Sequence, residues 1–225
     1  MITISVIVTC HNLEDYLDDC IDSIKQQVHQ PYEIILVHDG CKEKAKAYAG
    51  VTTIFCDKNG GVAKARDIGF KISTGDHIVF FDGDDVMPLN YLKDLVSIEA
   101  DVVYPSCVVW AGWGGSGMEN VWHEAPNKIV WGKMLKMNEV LMPSLFKREW
   151  YDRVGGFDTS LPLFEDYDFW LKILEKGAIF KKSCAFMYYR QRTLSRNHQN
   201  DELKREIYKK IIEKFTLKDK KSSKV

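Results

Sequence analysis

Three short stretches of this chain, residues 4–9, 32–37 and 77–81, are almost continuously apolar and rich in β-branched or aromatic side chains. A strand with one wet face alternates. Strands this uniform need cover on both faces, as in a parallel sheet flanked by helices. The intervening sequence supplies those helices. Leu13, Tyr16, Leu17, Cys20, Ile21 and Ile24 recur at helical spacing, with Asn12 placed as cap and Glu14 and Asp15 in the first turn. Residues 51–56 read as a further strand, and Asn59-Gly60-Gly61 opens a helix reaching about Ser73. This β-α-β-α-β alternation predicts an α/β fold with a mostly parallel central sheet, in which ligands gather at the carboxyl ends of the strands.

One such end is unusual. The third stretch runs into Asp82-Gly83-Asp84-Asp85, three carboxylates within four residues that repel one another unless a cation sits among them. Hard divalent ions, Mn²⁺ or Mg²⁺, take such all-oxygen donor sets, and Mg²⁺ commonly shares its shell with substrate phosphates. A solvated acidic turn is the plain alternative. An EF-hand loop starting at Asp82 would need Gly at Met87 and Glu at Lys93, so it does not fit. His38-Asp39-Gly40 closes the second stretch at a comparable strand end.

At 225 residues, 45% of them hydrophobic, the chain suits one compact domain. A net charge of −1 disfavours nucleic acid as a partner. Six scattered cysteines without paired spacing read as reduced thiols of a cytoplasmic protein. The chain enters a strand without signal-peptide flanks and has no stretch of transmembrane length, so membrane contact is expected to be peripheral at most. In the second half, residues 90–97, 148–154 and 166–176 read as helices, as does a last amphipathic segment marked by Leu203, Ile207, Ile211 and Phe215. Residues 101–109 and 140–146 read as strands, 110–117 as a glycine-rich mobile loop, and 218–225 as a disordered basic end.

Four blocks in this order resemble the family 2 glycosyltransferases: Ser5-Val6-Ile7-Val8-Thr9-Cys10-His11-Asn12, Glu33-Ile34-Ile35-Leu36-Val37-His38-Asp39-Gly40, Asn59-Gly60-Gly61-Val62-Ala63-Lys64-Ala65-Arg66-Asp67, and Phe81-Asp82-Gly83-Asp84-Asp85. A fifth, Gly155-Gly156-Phe157-Asp158 followed by Glu165-Asp166-Tyr167-Asp168-Phe169-Trp170-Leu171, is similar to that family's acceptor half. The resemblance implies the GT-A fold, a single domain on a Rossmann-like sheet. Residues 1–100 would hold the nucleotide-sugar donor and 101–200 the acceptor and catalytic base, with 201–225 a C-terminal amphipathic helix and basic tail. It further implies an inverting, metal-dependent transfer from a UDP-sugar or related donor to a carbohydrate or other hydroxyl acceptor. The enzyme would be of hexosyl or N-acetylhexosaminyl class and serve glycan or polysaccharide assembly.

By the same resemblance, Asp82, Gly83, Asp84 and Asp85 form a DxD-type motif, with Asp84 or Asp85 the direct metal ligand and Asp82 reaching the ribose or orienting the loop. Asp39 would accept from the base, whose uracil form carries an N–H donor, although His38 stands where the family usually has Asp. Thr9, Asn12 and Glu14 would begin the loop facing the nucleoside, with capping and turn formation as the alternative. Asn59 and Gly60 permit close backbone approach, and the helix amino end with Arg66 favours an anion. Arg66 could equally pin the acidic loop. Glu165 and Asp166 would be the catalytic pair, Asp166 the base at a helix amino end, where Asp is also a common cap. Arg192 replaces a His the family often carries and would neutralise the departing diphosphate or lie on the surface, with His198 as a substitute.

Trp110, Trp113, Trp122 and His123 are candidates for the acceptor side or for loop anchoring, whereas Phe169 and Trp170 belong to the core. The last helix could touch an anionic membrane or a partner, or present a solvated face. Two other classes remain in view. A sugar-nucleotide pyrophosphorylase or nucleotidyltransferase would carry a Gly- and Arg-rich loop where this chain has Thr9-Cys10-His11-Asn12-Leu13. A catalytically silent nucleotide-sugar-binding module would need neither Glu165-Asp166 nor the carboxylate cluster. Donor sugar, acceptor and oligomeric state are left open by the sequence.

Overall fold

The computed structural model describes residues 2–40, 45–110, 120–191 and 201–222. Strands β1 (Ile4–Cys10), β2 (Glu33–Asp39), β3 (Thr52–Cys56) and β4 (His77–Asp82) lie side by side in the order β3-β2-β1-β4, all parallel. Helix α1 (Leu17–Lys25) connects β1 to β2, and α2 (Val62–Ile72) connects β3 to β4. The chain continues through α3 (Tyr91–Val96), β5 (Val102–Trp110), β6 (Val121–His123), α4 (Trp131–Met134), β7 (Leu145–Lys147), α5 (Glu149–Val154), α6 (Glu165–Glu175), β8 (Phe180–Arg190) and α7 (Asp201–Ser222). β7 is antiparallel to both β4 and β5 and joins them, whereas β8 runs parallel to β5 along its whole length. The result is one mixed α/β domain with a mostly parallel central sheet.

The strand residues divide by period two between two cores. Ile7, Ile35, Val37 and Phe80 face one side, with Phe70, Trp150, Phe169, Trp170 and Ile211 against them. Val6, Val8, Leu36, Val79 and Phe81 face the other, under Leu17, Ile21, Tyr91 and Leu92. Each fully buried side chain of this kind contributes roughly 1.5–3 kcal/mol, so strands covered on both faces dominate the stability. Close packing of α2 depends on Gly69, where an added Cβ would stand 2.3 Å from Ile7 Cγ2.

Several expectations are corrected. Helix α1 begins at Leu17 after Tyr16, not at Asn12, so Asp18 and Asp19 rather than Glu14 and Asp15 occupy its first turn. Asn12 instead takes a left-handed conformation with φ of 54° in the connecting loop, which a cap in extended conformation does not. The strand expected over 140–146 is only Leu145–Lys147, since residues 141–144 close in a turn with Ser144 N–H donating to the Leu141 carbonyl. β6, α4 and the long β8 were not anticipated. Helix α7 continues to Ser222, past residue 218, because Lys is a good helix former and a basic composition does not by itself break a helix. Leu203 lies on its exposed side, whereas Ile207, Ile211 and Phe215 are buried. Among the described residues no cysteine forms a disulfide, and no helix is long and apolar enough to cross a membrane.

Candidate active site

The carboxyl ends of β1, β2 and β4 meet as the alternation predicts, with Thr9 in register with Asp82 and Cys10 with His38. At the β2 end, Asp39 is buried and both its oxygens accept backbone N–H groups, Oδ1 from Gly60 at 2.7 Å and Oδ2 from Gly61 at 2.9 Å. Asp39 therefore holds the entry turn of α2. Gly61 takes φ of 87° there, a conformation that suits glycine. His11 completes the clasp. Its Nδ1 bonds the Asp39 carbonyl at 2.6 Å, which only accepts, so Nδ1 carries the proton and Nε2 accepts from Asn59 Nδ2 at 2.8 Å. His11 was not anticipated as part of the site.

Arg66 leaves α2 toward the sheet and is buried to 3% exposure between two acids. Nη2 donates to Asp82 Oδ1 at 3.0 Å and Nη1 to Glu165 Oε1 at 2.9 Å. Burial works against its charge, but Asp82 and Glu165 more than offset this and hold its pKa above the ordinary value. Arg66 thus ties the acidic loop, through Asp82, to Glu165. Its guanidinium also lies 5.7 Å from the Phe157 ring centroid.

The acidic loop is stitched down at several points. Gly83 N–H donates to the Thr9 carbonyl at 3.0 Å, and Thr9 Oγ1 bonds Asp82 Oδ1 at 3.3 Å. An added Cβ at Gly83 would meet Leu17 Cδ2 and the Thr9 carbonyl at 3.0 Å each. Val86 pairs with Tyr188 of β8, and the next residues of that strand close on the loop. Arg190 N–H donates to Asp85 Oδ1 at 2.9 Å and Arg190 Nε to the Asp84 carbonyl at 2.7 Å. Arg190 Nη2 reaches Asp19 at 3.1 Å, and the guanidinium lies over Tyr16 and Trp110 at 4.8 and 4.4 Å. Arg190 is the residue of the Tyr189–Arg192 segment that the structure ties to the loop; the expected Arg192, with Trp113 and His198, lies outside the described residues.

Burial, then the charges of Asp84 and Asp82, push the Asp85 carboxyl well above the usual carboxylate range. Crowded carboxylates of this kind are what a hard cation relieves, so the donor chemistry fits Mn²⁺ or Mg²⁺. The side chains diverge, however, with Asp82 toward Arg66 and one oxygen of Asp85 committed to the Arg190 N–H. Asp82 and Asp85 each keep one oxygen outside these bonds, so Asp82, Asp84 and Asp85 could each offer a donor to such an ion. Glu14 Oε1 is buried without a hydrogen-bond partner.

Glu165 and Asp166 begin α6 directly after Phe164, a non-glycine residue at φ of 62°. Such strain concentrates at sites where a side chain must be aimed. Asn138 Nδ2 donates to Asp166 Oδ2 at 3.0 Å, a partner with no signal in the sequence. Burial and the neighbouring Glu165 raise the Asp166 carboxyl to about 7, with Arg66 opposing. A carboxylate poised near neutrality is suited to accept a proton. On the acceptor side, Trp110 is buried under Arg190, Trp122 is exposed edge-on to Phe186, and His123 is exposed; Phe169 and Trp170 are fully buried.

The sequence profile described as Glycosyl transferase family 2 matches residues 5–157, ending before Glu165. A Haemophilus influenzae protein named an uncharacterized glycosyltransferase is 31% identical over 185 residues, 77% of this chain and 62% of its own length. A Rickettsia felis protein of the same name is 25% identical over 197 residues, 78% of this chain and 32% of its own. The chain thus spans about three fifths of the first relative and one third of the second. Among solved structures, Staphylococcus aureus TarS 1-349 in complex with UDP-GlcNAc superposes with a TM-score of 0.67 at 20% identity, over 91% of this chain and 65% of that one. That likeness shows the fold, which is GT-A.

Proposed function

The chain belongs to glycosyl transferase family 2, and from that premise we propose an inverting transfer of a sugar from a UDP-sugar to an acceptor hydroxyl, assisted by a divalent cation. The observation that carries this reading is the Asp82–Arg66–Glu165 bridge, which fixes the acidic loop against the helix bearing Asp166. Donor and acceptor chemistry are thereby held at one place. The UDP binding of the S. aureus structures supports the choice of nucleotide.

In the proposed reaction the acceptor hydroxyl attacks the anomeric carbon on the face opposite the diphosphate. The bond from that carbon to the β-phosphate oxygen breaks, and its electron pair leaves with UDP. The hydroxyl proton passes to Asp166, which Asn138 orients through its Oδ2. Asp39 orders the glycine turn, and each of its oxygens keeps a second lone pair for a base N–H. A cation held by Asp84 or Asp85, with Asp82 orienting the loop, would supply Lewis-acid neutralisation of the diphosphate. The acceptor is a carbohydrate or other hydroxyl compound, and the sugar a hexose or N-acetylhexosamine.

A UDP-release assay over a panel of UDP-sugars, with and without Mn²⁺, tests this. Mn²⁺-dependent release of UDP that is lost in Asp166→Asn, with UDP affinity kept, supports the reading. Formation of pyrophosphate, or no turnover with any donor and acceptor glycan, overturns it.

A further inference from the structure

A second set of metal-ligating side chains converges next to the acidic loop, at the ends of β1 and β2. Cys10 ends β1, His38 is the penultimate residue of β2, and Glu14 lies in the loop leading to α1. Each offers one ligand atom, and these lie within 4.8 Å of one another; among the described residues no other such group of three was found.

The state of the donors is the independent observation. His38 is 1% exposed, and its Nε2–H donates to the Lys46 carbonyl at 3.0 Å. Nδ1, the other ring nitrogen, is buried without a hydrogen-bond partner, as is Glu14 Oε1. In the neutral ring Nδ1 is a bare lone pair, and a carbonyl on the opposite nitrogen is how proteins orient a ligating imidazole. Phe55 stacks on the ring at 5.2 Å and 5°, fixing its plane. Two buried acceptors cannot satisfy each other, whereas one cation satisfies both.

We infer that Cys10, Glu14 and His38 form a Zn²⁺ site. Thiolate, imidazole and carboxylate bind Zn²⁺ at about 2.0–2.3 Å in tetrahedral geometry, whereas Mg²⁺ and Mn²⁺ prefer all-oxygen sets such as the acidic loop. The thiolate and carboxylate balance the two charges of the ion, so the filled site is neutral. Binding releases the Cys10 thiol proton to solvent, and the fourth position is open among the described residues. The ion fastens the loop after β1 to β2, beside His11 and Asp39.

Equilibrium dialysis of the reduced chain against Zn²⁺, read by elemental analysis, should give one tightly bound ion per chain. Co²⁺ in the unaltered protein should show thiolate-to-metal charge-transfer absorption, a readout that needs no variant. Cys10→Ser and Glu14→Gln should each weaken Zn²⁺ binding, Cys10→Ser by more than about 100-fold, beyond the effect of a merely outer partner. The double variant Asp84→Asn, Asp85→Asn should keep the full stoichiometry. Absence of bound Zn²⁺, a cobalt spectrum without the thiolate band, or Zn²⁺ lost with the acidic loop and kept in Cys10→Ser would overturn the assignment.

Discussion

Arg66 Nη1 lies 2.9 Å from Glu165 Oε1, joining residues 99 positions apart in the chain, while the same guanidinium holds Asp82. This fork couples the carboxyl end of the sheet to the start of α6, and it sets the first expectation. Arg66→Ala leaves Glu165 shielded and unpaired. It should cost about 3 kcal/mol in urea unfolding, the low end for a broken buried pair because Asp82 is 37% exposed. Arg66→Lys, with one point charge, should recover only part of that; full recovery would mean that the fork is not what matters.

The carboxyl of Asp166 gives a pH dependence. With its pKa raised to about 7, kcat/KM should rise tenfold per pH unit below that point and level off above it. The stability this group contributes in its neutral form is present below its ordinary value of 3.8 and lost as pH rises through about 7. Asp166→Asn should therefore gain on the parent in unfolding experiments at pH 8 relative to pH 5. Asn138→Leu, which removes a donor to the ionised form, should move the activity limb to higher pH.

At Asp39 two backbone amides depend on one carboxylate. Asp39→Ala should lower stability by about 1–2 kcal/mol, as loss of a helix-entry acceptor does. Calorimetry should also show weaker UDP binding whether or not Mn²⁺ is present. Unchanged UDP affinity would remove Asp39 from the donor site.

Gly69 tests the packing of α2 on the sheet. Gly69→Ala places a methyl 2.3 Å from Ile7 Cγ2, and the overpacking should cost about 1–3 kcal/mol in thermal or denaturant unfolding. Alanine's better helix propensity recovers less than that.

The parallel half of the sheet was legible because β1, β2 and β4 are covered on both faces and read as unbroken apolar runs. β8 was not. It pairs with β5 across a register shift between Tyr104 and Ser106, at Pro105, which has no N–H to give a ladder. The shift is of two residues and keeps the faces in phase, but the outward Phe186 and Tyr188 are as apolar as the inward Ala185 and Met187, so no alternation shows in the sequence. Within the site, Asp39, Arg66, Asp82 and Glu165 could be named because each sits in a recognisable block. Which of them bond to one another could not, since Arg66 meets partners 16 and 99 residues away. Arg190 was overlooked beside Arg192 because its role comes from closing β8 onto Asp84 and Asp85, a contact across 105–106 residues.

The last helix has a consequence for anyone shortening this protein. Asp168, wholly enclosed on α6, is neutralised by Lys172 at 2.9 Å and by Lys214 of α7 at 2.6 Å. Ending the polypeptide before Asp201 would remove one of those cations and strip Ile207, Ile211 and Phe215 from the hydrophobic cluster that supports Asp166's helix. A fragment trimmed to residues 5–157, the span of family likeness, would lose α6 and Asp166 outright, whereas one ended before Asp201 would keep them without the support that α7 gives.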